Sequence, residues 1–353
     1  MPYCRKCGAK LDDDAQFCRV CGSSVQGATL THPPPSTGYA MRRRRILPIP
    51  VVILIVILAF ALFFAALVWA PFVPVNSNVA RAATAGLSVR AVNLDFSADV
   101  ADVNVILRTL PNQLVALNVT ASGYVGLLGD ASNPVQVTFT NQTEGTALTV
   151  TSGVSRTQAW PFSSNLQVTC DVYVDPSVSL SLNIHTSVGQ VTMDANREVV
   201  FDALTLQSGT GSVELTLGEG TTLKGNIAAT ATTGSVQFVW TNCAVIGNIT
   251  ANIGSVTGSL NANVTQDRPL SGDVFFDAGT STGSIDLRMD ISGRVGSEIT
   301  SNTSVGSVSI DVQNFNGNKS PIYSSNFPAE GNFIANLGAS TGSIHVAASY
   351  HGS

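Results

Sequence analysis

The chain has 353 residues, 12% of them charged and 7% aromatic, with 31 glycines. That length allows two or three domains, and the composition fits neither a disordered tail nor an ordinary α/β enzyme. Residues 1–80 carry eight Lys/Arg and three Asp/Glu (8 − 3 = +5), whereas residues 81–353 carry ten and twenty (10 − 20 = −10). Nucleic acid is not favoured as a partner of the acidic part, because a polyanion needs clustered cations to release its counterions.

Residues 1–22 hold the strongest motif, two C-x-x-C-G units with Cys4, Cys7, Cys18 and Cys21. A two-residue gap lets both thiolates of a unit face one tetrahedral centre, and Gly8 and Gly22 free the backbone to curl toward the sulfurs. So short a segment cannot bury enough to fold alone, so a structural Zn2+ is expected to supply folding energy. Tyr3, Leu11 and Phe17 are the expected small core. These residues resemble the short zinc ribbon found at the N-termini of many prokaryotic, especially archaeal, membrane proteins. A redox dithiol fits less well, since it uses one C-x-x-C on a βαβ unit. Asp12, Asp13 and Asp14 read as a solvated turn.

Residues 23–45 form a linker. Pro33, Pro34 and Pro35 favour polyproline II, His32 is an ordinary linker residue, and Arg42 to Arg45 make a basic stop. The uncharged run from Val51 to Ala70 follows, predicting a single transmembrane helix over 46–71 with the lipid bilayer as its partner. Pro48 and Pro50 fall at its start, and Trp69 sits where an interfacial aromatic belongs. The arginines before it predict a single-pass cell-membrane protein with a cytoplasmic N-terminus and an extracellular C-terminal domain. A cleaved signal peptide, with Ala80-Arg81-Ala82 as its site, and a buried soluble helix are the alternatives. A cytosolic ribbon would keep its thiols reduced and free for metal. Residues 72–84 read as a juxtamembrane linker.

Residues 85–350 are strand-rich, with clear repeats from about residue 186. A short Gly-Ser-Val phrase recurs at Gly189, Gly211, Gly234, Gly254, Gly283, Gly306 and Gly342. After each glycine the apolar residues alternate, as in Val213, Leu215 and Leu217 or Ile285, Leu287 and Met289, the period of a strand. A spacing in the low twenties predicts stacked units, each too small to bury its own apolar face. The expected fold is therefore mainly β: a right-handed parallel β-solenoid, like a β-helix, about 30 Å long for seven rungs. Its outward column would run Thr192, Glu214, Gln237, Thr257, Asp286, Ser309, His345. The segments "TQDRPLSGD" and "QNFNGNKSPIYSSNFPAEGN" become protruding loops. An uncapped edge strand would be a route to self-association. The run "NLQVTCDVYVDPSVSLSLNIHTSVGQVTM", an alternating strand followed by Asp-Pro and a later glycine, resembles the family of unknown function labelled "putative adhesin". The resemblance implies a β-solenoid outside the membrane.

No catalytic or cofactor-binding residue is assigned. "GNKS" (Gly317–Ser320) lacks the order of a phosphate loop, and the corners lack the aspartates of calcium-binding repeats. The tight outward set Asp286, Arg288 and Asp290 reads as a solvated strand face, and His185, His345 and His351 have no motif partners. Cys170 and Cys243 either form a disulfide or are two small buried residues. Sequons at Asn118, Asn141, Asn248, Asn263, Asn302 and Asn318 occur about as often as a Ser/Thr/Asn-rich region makes by chance. The expected function is adhesion or contact with an envelope polymer, glycan or surface protein. The alternative is a transmembrane sensor or assembly factor whose ribbon recruits a cytosolic protein.

Overall fold

The computed structural model describes residues 3–12, 15–24, 49–68, 73–84, 86, 88–125, 132–157 and 164–352. It divides into two compact units, Met1–Leu67 and Val68–Ser353. Asp13, Asp14, the linker from residue 25 on, Arg42 to Arg45, Pro48 and Trp69 lie outside the described residues.

In the first unit, one helix, α1, runs over Ile49–Val68, 20 residues. Ile, Val, Leu and Ala dominate it, and Pro50 falls in its first turn, where a missing N–H costs little. Its side chains are described without a break only from Ile53 to Phe63, and all of these are exposed. Among the described residues no helix is long and apolar enough to cross a membrane. The expected span over 46–71 is thus met by a helix in the middle of that range, and crossing itself is not carried by the structure.

The second unit is β throughout the described residues, in two mixed sheets of 11 and 14 strands. From Ser179 to Ser292 the chain alternates between them. Ser179–Val188 lies in the larger sheet and Val191–Ala195 in the smaller, then Val199–Thr210 in the larger and Val213–Leu217 in the smaller. Each strand pairs in parallel with its equivalent one repeat later: Val213 faces Val191 on one side and Val236 on the other. Alternate side chains point between the sheets, so Val213, Leu215 and Leu217 are at most 1% exposed. Aromatic rings meet across that interior, with Phe238 of one sheet 5.5 Å from Phe276 of the other and Trp240 5.6 Å from Phe333. The Trp240 indole N–H donates to the buried Gln266 Oε1 at 2.8 Å, so the largest core side chain leaves no polar atom unpaired.

The Gly-Ser-Val phrase is the corner between the sheets, and one of its positions differs from the expectation. The stacked glycines are Gly189, Gly211, Gly234, Gly258 and Gly283, then Gly342 and Gly306, with φ between +138° and +149°. Gly254 is not among them; it sits mid-strand, in register with Gly279. "ANIGSVTGSL" contains two Gly-Ser pairs, only the second of them a corner, and Leu260, two residues after Gly258, is the residue aligned with Val236 and Ile285. The outward column accordingly reads Thr192, Glu214, Gln237, Asn261, Asp286, His345, Ser309, with Asn261 in place of Thr257.

Both ends depart from a uniform winding. The C-terminal strands Gly331–Thr341 and Ile344–His351 slip between Val274–Thr282/Ile285–Ser292 and Val295–Val305/Val308–Gln313. At the opposite end Ala91–Val100 and Asp102–Leu107 lie between later strands, Ala147–Arg156/Ser164–Val174 and Ser179–Val188/Val191–Ala195. Antiparallel strands finish the larger sheet at both ends and the smaller at one, which makes the sheets mixed where a wholly parallel solenoid was expected. Residues 72–84 are corrected too, for Val73–Thr84 is an edge strand antiparallel to Gln113–Val125. Its Val75 and Ala83 are buried, and burial of an alternating row outweighs a linker-like composition.

A Cβ at Gly234 would lie 2.1 Å from the carbonyl oxygen of Gly211, at a φ of +140°. At Gly338 it would meet nothing within 4 Å. Gly234→Ala should therefore destabilise the β unit by about 2–4 kcal/mol, through strain plus overpacking. Gly338→Ala should stay within about 0.5 kcal/mol of wild type. Urea unfolding of both variants, followed by tryptophan fluorescence, separates the two.

Candidate metal centre

The ribbon is two knuckles with matching backbone bonds. Cys4 N–H donates to Ala9 O at 2.8 Å and Gly8 N–H to Cys4 O at 2.8 Å. In the second, Cys18 N–H donates to Ser23 O at 2.9 Å and Gly22 N–H to Cys18 O at 2.7 Å. Each turn needs its glycine in the left-handed region, Gly8 at φ 73° and Gly22 at φ 66°. Tyr3 bridges Lys10 and Phe17 bridges Ser24, closing each knuckle.

All four sulfurs lie within 4.8 Å of one another, with Cys4–Cys21 and Cys7–Cys18 at 3.6 Å. Around a zinc with Zn–S of about 2.3 Å, tetrahedral sulfurs stand about 3.8 Å apart, so the four thiols fit the ion. Four sulfurs this close cannot all carry charge unless a cation lies among them. The site binds structural zinc through Cys4, Cys7, Cys18 and Cys21, four protein ligands that leave no open position for a substrate.

Expectation and structure differ over the ribbon's core. Leu11 is 6% exposed and packs with Cys4 and Cys18, but Tyr3 and Phe17 are 63% and 61% exposed. The metal-bound thiols take the place the aromatics were expected to fill. Sequence reading also missed Ser23, whose hydroxyl is 3.3 Å from Cys4 Sγ and 3.1 Å from Cys21 Sγ. That hydroxyl, with the N–H groups of Lys6 and Cys7, pulls the Cys4 thiol down to about 6, and it lowers Cys21 as well. The Ala9 N–H lowers Cys7, but contact with Cys21, burial and the other two thiols outweigh it and push Cys7 up to about 12.

In the β unit, the sequence-singled residues are not brought into a catalytic arrangement. Arg288 Nε lies 3.8 Å from Asp286 Oδ1 with its side chain 70% exposed, a solvated contact worth little. Asp290 takes a hydrogen bond from Ser349 Oγ at 3.0 Å and faces His351 Nε2 at 3.2 Å. Cys170 and Cys243 are free and fully buried, which settles the open pairing in favour of two small core residues. Burial pushes both thiols up to about 12, aided at Cys170 by the carboxylates of Asp171 and Asp102 and opposed at Cys243 by the Thr241 backbone.

Residues 3–25 match the zinc-ribbon domain family. No curated protein matches the chain. Solved structures similar to it include a putative cell adhesion protein from Clostridium sporogenes, at 12% identity over 77% of this chain and 99% of that one, with a TM-score of 0.36. A putative adhesin from Bacteroides fragilis follows at 11% identity, 76% and 97% coverage and a TM-score of 0.25. One from Parabacteroides merdae has 9% identity, 76% and 96% coverage and a TM-score of 0.20.

Two outcomes are expected of the thiols. Purified chain should hold a single zinc that a strong chelator removes, and Cys18→Ser should lose it during gel filtration, as read by metal analysis. Cys170 and Cys243 should resist alkylation until denaturant is added. They keep their protons in the folded chain up to about pH 12 but release them from 9.0 when unfolded. Their share of stability is therefore complete below pH 9 and lost as pH rises through 9 toward 12. Denaturant midpoints between pH 8 and 11 should fall less steeply in a Cys170→Ala/Cys243→Ala variant.

Proposed function

We propose that the chain is a non-enzymatic, single-pass membrane protein of the cell surface. In this reading a cytoplasmic zinc ribbon precedes the anchor, and the outer β unit is a solenoid that serves adhesion or contact with envelope glycans. The observation that carries the reading is the chain's division. A reducing compartment keeps four such thiols free for metal, and the ribbon precedes an uncharged helix whose described side chains from Ile53 to Phe63 are all exposed. A helix apolar on every described face gains nothing from water, and lipid is the solvent that suits it. Beyond it, the outward column of the β unit is polar throughout: Thr192, Glu214, Gln237, Asn261, Asp286, His345 and Ser309. Such rows can make hydrogen bonds with a hydroxyl-rich polymer.

A second reading, a sensor or assembly factor, is favoured by the ribbon's surface. Tyr3, Phe17 and Val20 are 61–75% exposed on a segment that also carries Arg5, Lys6, Lys10 and Arg19. Exposed apolar groups among charges suit a cytosolic protein partner.

The anchored reading expects the full chain to stay with membranes through alkaline carbonate and to be released by detergent. Cells displaying it should bind envelope glycans or neighbouring cells, and deleting residues 1–22 should leave that binding intact. Extraction by carbonate alone would end the anchored reading. Loss of a cytosolic complex on the same deletion, with surface binding absent throughout, would favour the second.

A further inference from the structure

The two knuckles of the ribbon are the same structure repeated after 14 residues (18 − 4 = 14). Tyr3 corresponds to Phe17, Cys4 to Cys18, Cys7 to Cys21 and Gly8 to Gly22, with the same turn bonds and the same closing bridge in each. Ala9 and Ser23 also correspond, each accepting through its carbonyl the N–H of its knuckle's first cysteine. Only the second of them has a hydroxyl. That oxygen reaches one sulfur from each knuckle, Cys4 Sγ at 3.3 Å and Cys21 Sγ at 3.1 Å, and these two sulfurs are themselves 3.6 Å apart.

We propose that Ser23 is a positioning residue of the zinc site, whose single hydroxyl proton is shared between the Cys4 and Cys21 thiolates and makes the site one-sided. The proposal rests on the zinc assignment. Around a bound metal all four sulfurs are deprotonated and can only accept, so the serine must supply the proton of any bond between them. Donation to a ligand sulfur draws charge off it and fixes its orientation, and partners of this kind are commonly worth 10–100-fold in metal affinity. It also makes that sulfur a poorer nucleophile. Cys7 and Cys18 have Ala9 in the corresponding place and receive no such bond. Cys18 is buried but Cys7 is exposed, so Cys7 combines a thiolate without a hydroxyl donor with access from solvent. Electrophiles and oxidants therefore attack the ribbon at Cys7, and zinc leaves from that side.

The test uses the full chain in detergent, loaded with Zn2+ or Co2+. Ser23→Ala should weaken zinc, in competition with a chromogenic chelator, by about 10-fold. It should also shift the sulfur-to-cobalt charge-transfer bands to lower energy, and Ser23→Thr should restore both. Ala9→Ser places a hydroxyl against the other pair of sulfurs, so it should tighten binding, shift the bands to higher energy and slow alkylation of Cys7. In wild type, mass spectrometry during limited alkylation should find Cys7 modified before Cys21. Unchanged cobalt bands and affinity in Ser23→Ala, or Cys21 modified first, would overturn the proposal. If Ser23→Ala does not fold, the Ala9→Ser shift decides alone. Should wild type give no tetrahedral cobalt spectrum at all, it is the zinc assignment that fails.

Discussion

Everything in the β unit hangs on how closely one corner lies on the next. At each Gly-Ser-Val corner the space a Cβ would need is taken by the carbonyl of the corner before. The distances are 2.0 Å for Gly211 over Gly189, 1.8 Å for Gly258 over Gly234 and 1.7 Å for Gly342 over Gly283. Only glycine permits that approach at a φ near +140°. The hydrogen-bond ladder therefore does not break where the chain leaves one sheet for the other. Gly189 N–H donates to Thr210 O, Gly211 to Thr233 and Gly234 to Thr257, while Val191, Val213 and Val236 donate to Ser212, Ser235 and Ser259. A second ladder runs inside it. Ser208, Ser255 and Thr280, each three residues before a corner glycine, donate to the carbonyl of the previous one at 2.7–3.2 Å. Each such bond contributes about 1 kcal/mol and, more to the point, leaves no buried hydroxyl unpaired. Ala231 and Ala339 occupy the same place without a hydroxyl, so this inner ladder is interrupted where the outer one is not.

This close stacking explains what was legible beforehand. The corner recurs because a steric demand recurs, and the strands after it alternate because one face is buried, so both could be read from residues alone. What decides between Gly254 and Gly258 is which glycine the preceding carbonyl presses on, and that is a contact from another part of the chain. Strand order at the ends was illegible for the same reason. Nothing local distinguishes Ile344, which enters the stack beside Ile285, from Val308, which waits outside it. In the ribbon the spacing of Cys4, Cys7, Cys18 and Cys21 announced the site, because ligand geometry is local. Ser23 carried no such mark, since a serine after Cys-Gly is unremarkable until its hydroxyl is found against two sulfurs. Tyr3 and Phe17 were misplaced because apolarity predicts burial only where there is a core to enter.

The two ends of the stack are protected unequally. On the strand Val73–Thr84, Pro74 cannot extend the ladder, and Arg81 stands on the same side as the buried Val75 and Ala83, where a further strand would have to desolvate it. At the other end, the larger sheet is finished by the short antiparallel strands Ile322–Ser324 and Phe315–Asn316. The smaller sheet stops at Val308–Gln313, which has no proline and no inward charge. Its Val308 is 37% exposed, where the equivalent Val213, Val236, Ile285 and Ile344 are at most 1% exposed. The last rung thus holds less of the hydrophobic energy than the others, roughly in proportion to the area left wet. Insertion of the C-terminal strands beneath it follows the same logic. Ile344–His351 is paired on both sides, by Ile285–Ser292 and Val308–Gln313, so its backbone groups are satisfied along both edges.

Cysteine serves two opposite purposes here, and environment decides which. Cys170 and Cys243 lie in a dry interior that favours the neutral thiol, so they behave as small hydrophobes and stay unreactive. The ribbon has almost no interior; Leu11 and the sulfurs are most of it. Backbone N–H groups and a serine hydroxyl favour the anion at Cys4 and Cys21, and a cation among the four sulfurs replaces the core that so few residues cannot build. A ribbon without zinc would lose both its charge balance and its packing at once. The β unit, whose described strands bury alternating side chains along the whole stack, draws its stability from that burial. One chain therefore joins a ribbon whose fold depends on metal supply, and which chelation or an electrophile can open, to a β unit held by burial.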